Sequence, residues 1–256
     1  IFSSLLLYEF LKNQFSLTTI NRKLPFTGGT PDDPLPNNYL DFFFASPYLF
    51  NYANLGQQAC FISREQCDYL ESHNFDCLRL GTIRYNTLLA EPHLRDSQVV
   101  GIDISAVKNS DAPGQQLVSP NGMYGEELCQ LAKYAGISEN VTSFFVTGYY
   151  PANDINQTTA ALSAQTIWYM LDGMAARKNE NPSENKKNLK KYILQHKLLN
   201  QTLTFYKSNK TERWWIEVPA KDNHNIMISC TEDDYLTACN EEIPNRWWKI
   251  YQKINP

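Results

Sequence analysis

The chain has 256 residues, 43% of them hydrophobic, and a formal net charge of −4 with a pI near 5.6. This composition suffices for a sizeable core, and the acidic balance gives no electrostatic reason to expect nucleic acid as a partner. No apolar run approaches the roughly 18 residues of a membrane-spanning helix, so no membrane span is expected.

The first part of the chain predicts alternating helices and strands. The opening segment lacks the basic region and cleavage site of a signal peptide, so we interpret it as the inside of a helix. A loop rich in Gly, Pro, Asp and Asn is expected over 27–39. Ser63 and Gln66 predict a capping box for a helix that continues to His73. Strands are expected over 15–20 and 77–80, and a short helix over 83–90 that Pro92 ends.

The central stretch, 99–136, predicts a buried strand, a long polar loop and an amphipathic helix in succession. Its strand, 99–104, is apolar and β-branched, which is typical of a strand covered on both faces. Its helix, 123–135, carries apolar residues on one face, and Gly136 follows as the expected stop signal. A further strand and helix are expected over 143–149 and 157–175.

This alternation of strands and helices indicates right-handed crossovers and a parallel sheet. The predicted fold of residues 1–180 is therefore an α/β domain, a doubly wound, mainly parallel sheet with helices on both faces. Ligands of such sheets bind at the carboxyl ends of the strands. Asp103 lies near that end of its strand, so it is either an active-site acid or a cap for a loop amide.

The composition changes after Lys178. Residues 181–197 are polar and basic, and we interpret them as a linker or surface arm. Their lysines could contact an acidic partner, although a solvated helix face is the commoner meaning of such a run. Residues 198–256 predict a small α+β appendage with a hairpin turning at 208–210, a strand over 226–229 and two helices. The lysines of the arm are Lys186, Lys187, Lys190 and Lys191.

Two tryptophan doublets belong to this appendage, and we expect them to form its core and its contact with the main domain. An exposed protein-binding surface is the alternative. Neighbours on a strand point to opposite faces, so one of Trp214 and Trp215 should lie inside while the other reaches the main domain or a partner. Neighbours on a helix lie about 100° apart, so Trp247 and Trp248 can share one buried face.

The cysteines indicate a reducing, cytoplasmic environment rather than a disulfide framework or a zinc site. They form no CxxC pair and no ligand spacing with histidine. We therefore expect small buried apolar side chains. The six are Cys60, Cys67, Cys77, Cys129, Cys230 and Cys239.

Two blocks of the sequence carry a family resemblance. The first consists of Asp103-Ile104-Ser105, Asp111-Ala112-Pro113-Gly114, and Ser119-Pro120-Asn121-Gly122-Met123 before Glu126 and Glu127. It resembles the ureohydrolases (arginases, agmatinases and formimidoylglutamases), in which a strand ending in Asp-x-Asp precedes a Pro-containing loop and a glycine-rich entry to a helix bearing Glu. The second block, 143–173, resembles that family's last strand, Pro- and Asp-containing loop and closing helix.

The resemblance covers about residues 1–180 and is strongest to formimidoylglutamase-like proteins with a C-terminal extension that contains tryptophan doublets. It implies an arginase-like fold with further strands upstream, so we expect the N-terminal part of that domain to be missing from this sequence.

The family hydrolyses a guanidino or formimino C–N bond with a hydroxide that bridges two Mn²⁺ ions. The resemblance implies three ligand elements: a histidine, an Asp-x-His-x-Asp strand end and the Asp-x-Asp pair. The second element falls here on Asn21-Arg22-Lys23-Leu24-Pro25, and Ser105 replaces the second Asp of the pair. Asp103 is thus the only retained ligand position, and one carboxylate is too little charge for two divalent cations.

Two further expectations about the site follow from the resemblance. Glu127 matches the glutamate that holds the cationic end of the substrate in the family. The alternative interpretation is a glutamate in the first turn of a helix, where the helix dipole favours a negative charge. A carboxylate left without its metal is costly unless it is paired. We therefore expect a salt bridge or hydrogen bond to Asp103 from Lys23 or Arg22, with backbone amides of 105–108 as the fallback.

The leading functional hypothesis is a pseudoenzyme with no cofactor and no catalytic residue. It keeps the fold as a scaffold or as a partner-binding subunit of a protein complex, and its partner is another protein or a second copy. The partner-binding residues would be Trp214, Trp215, Trp247 and Trp248. The alternative is a Mn-dependent hydrolase of a guanidino or formimino C–N bond that takes its missing ligands from elsewhere.

Overall fold

The computed structural model describes residues 1–29, 33, 35–182, 188–196, 201–221 and 225–255. The chain folds as two compact units, residues 1–177 and residues 178–256. The second unit therefore starts upstream of residue 198, where the sequence placed the start of the appendage.

The first unit is built on a five-stranded parallel sheet. Its strands are β1 (Phe15–Ile20), β2 (Leu49–Gln57), β3 (Asp76–Arg79), β4 (Val99–Asp103) and β5 (Ser143–Thr147). They lie in the order β3-β2-β1-β4-β5, and every neighbouring pair is parallel. The strands expected near 15–20, 99–104 and 143–149 are therefore adjacent, and their carboxyl ends share one edge.

Helices cover both faces of this sheet, as expected for a doubly wound fold. Along β1, Phe15 and Leu17 enter one hydrophobic core and Ile20 enters the other, because side chains alternate along a strand. The first core also contains residues of α1–α3, and the second contains residues of α4–α7. The helices are α1 (Phe2–Leu11), α2 (Tyr39–Ala45), α3 (Arg64–Ser72), α4 (Leu80–Tyr85), α5 (Glu91–Arg95), α6 (Gly125–Ile137) and α7 (Thr158–Ala175).

Two predicted helix ends in this unit are wrong. Pro92 does not end a helix but lies in the first turn of α5, where its missing amide hydrogen costs nothing. Gly136 does not stop α6 but lies inside it. A Cβ at Gly136 would overlap the backbone carbonyl of Met170 in α7, so the glycine allows these two helices to approach closely.

The described residues of 178–256 form a four-stranded antiparallel sheet with two helices. The strands β6 (Leu189–His196), β7 (Gln201–Ser208), β8 (Trp214–Val218) and β9 (Ile226–Cys230) lie in this order. The expected hairpin, the strand at 226–229 and the helices α8 (Glu232–Cys239) and α9 (Asn245–Ile254) are all present. Thr231 caps α8 in a capping box with Asp234.

The interpretation of 181–197 as a linker or surface arm is wrong for residues 189–196. These residues form β6 and pair with β7 along their whole length. The polar composition of residues 189–196 does not predict a strand. The extended conformation is set by pairing with the partner strand β7 and not by apolar residues of β6 itself. Lys186 and Lys187 lie outside the described residues.

Among the helices that the structure describes, none combines the length and the apolar character that a membrane span requires.

Candidate functional site

Asp103 is the last residue of β4, at the carboxyl edge of the parallel sheet. Its Oδ1 accepts a hydrogen bond from the Ser105 amide at 2.8 Å. Its Oδ2 accepts one from the Asn21 side-chain amide, which follows β1, at 3.3 Å. The carboxylate is therefore held by two neutral donors, one of which is the loop amide expected as the fallback.

The expected salt bridge from Lys23 or Arg22 is not formed, and that prediction is wrong. Among the described residues, Asp103 pairs with no cation. The Arg22 Nη2 donates instead to the carbonyl of Leu117 at 2.6 Å, and its guanidinium lies 4.9 Å from the ring centroid of Phe61. The backbone amide of Lys23 donates to the side-chain oxygen of Asn21 at 3.1 Å. The short amide Asn21 thus reaches Asp103, and the longer side chain of Arg22 turns toward the polar loop.

Arg22 still contributes a positive charge to this edge of the sheet. It is only 4% exposed, and its Nε and Nη1 have no hydrogen-bond partner among the described residues. Burial lowers the pKa of Arg22, while the negative charge of Asp103 opposes that shift. A guanidinium buried close to the position where the resemblance places a metal ligand repels any metal cation brought to Asp103.

A cavity of about 400 Å³ opens beside Asp103. The half-buried Tyr39 lies in its wall, where desolvation of the phenol, followed by the charge of Asp103, raises the pKa of Tyr39 well above its usual range. A Cβ on Gly148 would overlap the carboxylate of Asp103, so only glycine leaves room for it there. The lining residues are Ile1, Phe2, Leu35, Pro36, Tyr39, Asp103, Gln116, Thr147, Gly148, Tyr149 and Tyr150.

The tyrosines of this cavity are not among the site residues predicted from the sequence. Thr147, Gly148, Tyr149 and Tyr150 follow directly at the carboxyl end of β5, so the strand-end rule that singled out Asp103 would also have found them. No local signal identifies Tyr39, because it reaches the cavity from α2.

Glu127 lies in the first turn of α6 and is not among the residues that line this cavity. Its carboxylate accepts from the backbone amide of Tyr124 at 2.8 Å and pairs with Arg84, with 3.6 Å between Oε2 and Nε. Arg84 also donates to the carbonyl of Gly122. The carboxylate of Glu127 thus caps its own helix and is already paired with a cation.

The residues beside Asp103 do not fit a pair of Mn²⁺ ions. Across the described ranges, no three His, Cys, Asp or Glu side chains lie close enough to hold a metal ion. The donors around Asp103 include the amide of Asn21 and the hydroxyl of Ser105, both neutral. Two divalent cations need several carboxylates around them, and here a buried guanidinium stands nearby instead.

The tryptophan doublets lie mainly in the interior of the second unit. Trp214, Trp215 and Trp247 are 4%, 6% and 1% exposed, while Trp248 is 37% exposed. Trp214 stacks on Tyr235 of α8 with 4.7 Å between ring centroids. The indole of Trp247 donates to the carbonyl of Glu217 at 2.9 Å. Of the four, only Trp248 offers a substantial surface to a partner.

Comparison with known proteins confirms the resemblance to the ureohydrolases and to their formimidoylglutamases. No family model matches the chain. Formimidoylglutamase from Bacillus subtilis (strain 168) is 25% identical over 114 residues, which are 41% of this chain and 36% of that protein. The chain therefore spans little more than a third of the curated relative it matches.

Solved structures share the fold of the first unit. The crystal structure of formimidoylglutamase from Bacillus subtilis subsp. subtilis str. 168 has a TM-score of 0.59 at 17% identity, over 66% of this chain and 56% of that one. Formiminoglutamase from Trypanosoma cruzi with Mn²⁺ gives 0.61 at 13%, over 67% and 60%. Agmatine ureohydrolase of Thermoplasma volcanium gives 0.52 at 15%, over 63% and 55%. An arginase-like fold is thereby established.

Proposed function

We propose that this chain is a ureohydrolase-fold protein with a degenerate metal site that acts without catalysis, as a scaffold or partner-binding subunit of a protein complex. The observation that carries the proposal is the environment of Asp103. Its two hydrogen bonds come from Asn21 and the Ser105 amide, and both donors occupy positions where the resemblance places metal ligands or their immediate neighbours.

Charge supports the same proposal. A bridging hydroxide between two Mn²⁺ ions needs a site that is strongly negative before the metals arrive. Beside the carboxylate of Asp103, this edge holds the buried guanidinium of Arg22. Their charges cancel, so the site does not attract two divalent cations.

The second unit supports a partner-binding role. It adds a separate sheet and a hydrophobic core of its own to an arginase-like domain, and Trp248 remains partly exposed on it. An appended unit with its own core is a common means of adding an interaction surface to a fold. The partner in this proposal is another protein or a second copy of the chain.

The alternative is a Mn-dependent hydrolase of a guanidino or formimino C–N bond. Asp103, which is retained, and the activity that the names of the relatives state both support this alternative. So does the short share of the relatives' length that this chain covers. In that case the missing ligands come from outside the described residues.

Elemental analysis of protein prepared with excess Mn²⁺ separates the two functions. We expect far less than one equivalent of manganese per chain and no turnover of formiminoglutamate, arginine or agmatine. The matched variants are Asp103→Ala, which removes the one retained carboxylate, and Asp68→Ala, which removes an exposed carboxylate on α3. Two bound equivalents, with turnover that Asp103→Ala abolishes and Asp68→Ala spares, would reverse the proposal.

A further inference from the structure

Strand β6 is an edge strand of the antiparallel sheet. It pairs with β7 over eight residue pairs, from Leu189 with Ser208 to His196 with Gln201. On its other side, no strand of the described chain continues the sheet. Every second residue of such an edge points its backbone amide and carbonyl away from the sheet, where another extended chain can bind them.

The side chains of β6 leave this edge open to a partner. Lys190, Lys191 and Gln195 are exposed, and Ile193 is 62% exposed although it lies at the middle of the strand. Lysine on an edge strand often serves to prevent unwanted pairing. Here, however, the two lysines occupy only the first half of β6, and the second half presents an uncharged, partly apolar stretch.

The two lysines have no acidic partner among the described residues. The ammonium of Lys190 lies 5.0 Å from the ring centroid of Tyr192, and that of Lys191 lies 5.8 Å from that of Tyr206. Because successive residues alternate, one ammonium stands on each face of the sheet. Both faces of the edge are therefore positive at the same point along β6.

The net charge of the whole second unit also favours an acidic partner. Residues 178–256 contain 13 Lys and Arg against 10 Asp and Glu, whereas residues 1–177 contain 10 against 17. The net charge of −4 for the chain thus hides a basic second unit. A second copy of this unit, paired edge to edge by a two-fold axis, is antiparallel and sets Lys190 and Lys191 opposite the uncharged half of the other β6. Such a pairing leaves the lysines without an acidic partner, which an acidic segment would supply.

We propose that β6 binds an extended acidic segment of a partner protein as a fifth strand of this sheet. The proposal rests on the partner-binding role given above and specifies the chemistry of the partner. Backbone hydrogen bonds along β6 supply the binding, and the side chains of β6 select the sequence.

The alternation of faces predicts a pattern for that segment. Cross-strand neighbours on one face contact each other. Acidic residues therefore stand opposite Lys190 and Lys191, one on each face, and an apolar residue stands opposite Ile193. For a parallel segment the pattern is acidic-acidic-x-apolar, and for an antiparallel segment it is the reverse.

Calorimetric titration of the full chain with synthetic peptides tests the proposal. The probes are Thr-Glu-Glu-Thr-Val-Thr-Thr and its reverse, each extended with serines. One control peptide replaces both Glu with Lys, and another keeps the sequence but carries an N-methyl group on every residue, which removes the amide hydrogens of both strand edges and not the charge. We expect one of the two acidic peptides to bind, and neither control peptide to bind measurably.

The matched variants separate charge from strand pairing. Lys190→Glu with Lys191→Glu should weaken binding by about tenfold or more, whereas Lys133→Glu, an exchange on α6 of the first unit, should leave it unchanged. Equal binding of the N-methylated peptide would overturn strand addition, because a diffuse charge effect would then suffice. Failure of both acidic peptides to bind, or a dimer of the unmodified chain that the double variant dissociates, would also overturn it.

These outcomes are independent of the metal analysis. Peptide binding at β6 without bound manganese supports both proposals, and peptide binding to a chain that also holds two Mn²⁺ ions would overturn the non-catalytic function alone. Circular dichroism of the double variant checks that the exposed substitutions leave the fold intact.

Discussion

The carboxylate of Asp103 and the backbone of Gly148 share one small space at the carboxyl edge of the parallel sheet. Gly148 has φ of +80°, a conformation that side-chain-bearing residues rarely adopt. A methyl group there would meet the Asp103 carboxylate and the backbone of the following turn. The glycine is therefore needed for both conformation and space.

Gly148→Ala should lower the free energy of unfolding of the first unit by at least about 2 kcal/mol, because strain and overlap add. Urea denaturation followed by far-UV circular dichroism measures the loss. The control is Gly81→Ala in α4, where nothing lies within 4 Å of an added Cβ. That variant should change stability by less than about 1 kcal/mol. Equal effects of the two substitutions would contradict this account.

At the scale of an element, α6 depends on side chains that cap its first turn. Asp111 accepts from the amide of Gly125 at 3.1 Å, and its Oδ1 lies 3.3 Å from the ammonium of Lys108. Partial burial would raise the pKa of Asp111, but the bonds from Gly125, Ser110 and Lys108 outweigh it and lower the pKa. The charged carboxylate thus favours the folded state.

Asp111→Asn should therefore cost about 0.5–1 kcal/mol of unfolding free energy at neutral pH. Because the folded pKa is depressed, this contribution is complete above the ordinary pKa near 3.8 and is lost as the pH falls through the folded value. Denaturation at several pH values should show the gap between the two proteins narrowing below about pH 4. Asp68→Asn, at an exposed pair on α3, should cost less than about 0.5 kcal/mol. A gap that stays constant to acidic pH would count against the capping role of the charge.

Elements with a local signal were predictable, and those set by distant contacts were not. The capping box of Ser63 and Gln66 predicted the start of α3, because both residues lie within one turn. Gly136 matches the local pattern of a helix stop signal. Its actual role is set by a distant contact, because α7 packs against it. Strand β6 was missed for the same reason, since its partner β7 defines it.

The residues of the candidate site show the same difference between local signals and distant contacts. Asp103 at a strand end could be predicted from its own strand and from the resemblance. Its partner Asn21 lies 82 residues earlier, and only the parallel pairing of β1 with β4 brings the two together. The expectation of a cation from Arg22 or Lys23 identified the correct strand end but not the correct side chain. The directions of individual side chains after a strand depend on the loops that they contact.

At the scale of the whole molecule, the chain consists of two units with separate cores. Trp214 lies in the core of the second unit, stacked between side chains of β6 and α8. Damage to that core should stay within the second unit to the extent that the units are independent.

Trp214→Ala should therefore destabilise residues 178–256 by about 3–5 kcal/mol while sparing residues 1–177. Amide hydrogen exchange read by mass spectrometry reports the two units separately in one sample. The matched control is Trp168→Ala on α7, because Trp168 is 59% exposed and should cost little. A comparable loss of exchange protection in both units after Trp214→Ala would show that their stabilities are linked.

The distribution of tryptophan has a practical consequence for spectroscopy. Of the five indoles in the chain, four belong to the second unit and three of those are buried, whereas Trp168 is already in water. Indole emission shifts to longer wavelength when a buried ring becomes hydrated. An unfolding curve recorded by intrinsic fluorescence will thus follow residues 178–256 almost alone. A ligand that binds and stabilises the cavity beside Asp103 would leave that curve nearly unmoved, and a screen read by emission would score it as inactive.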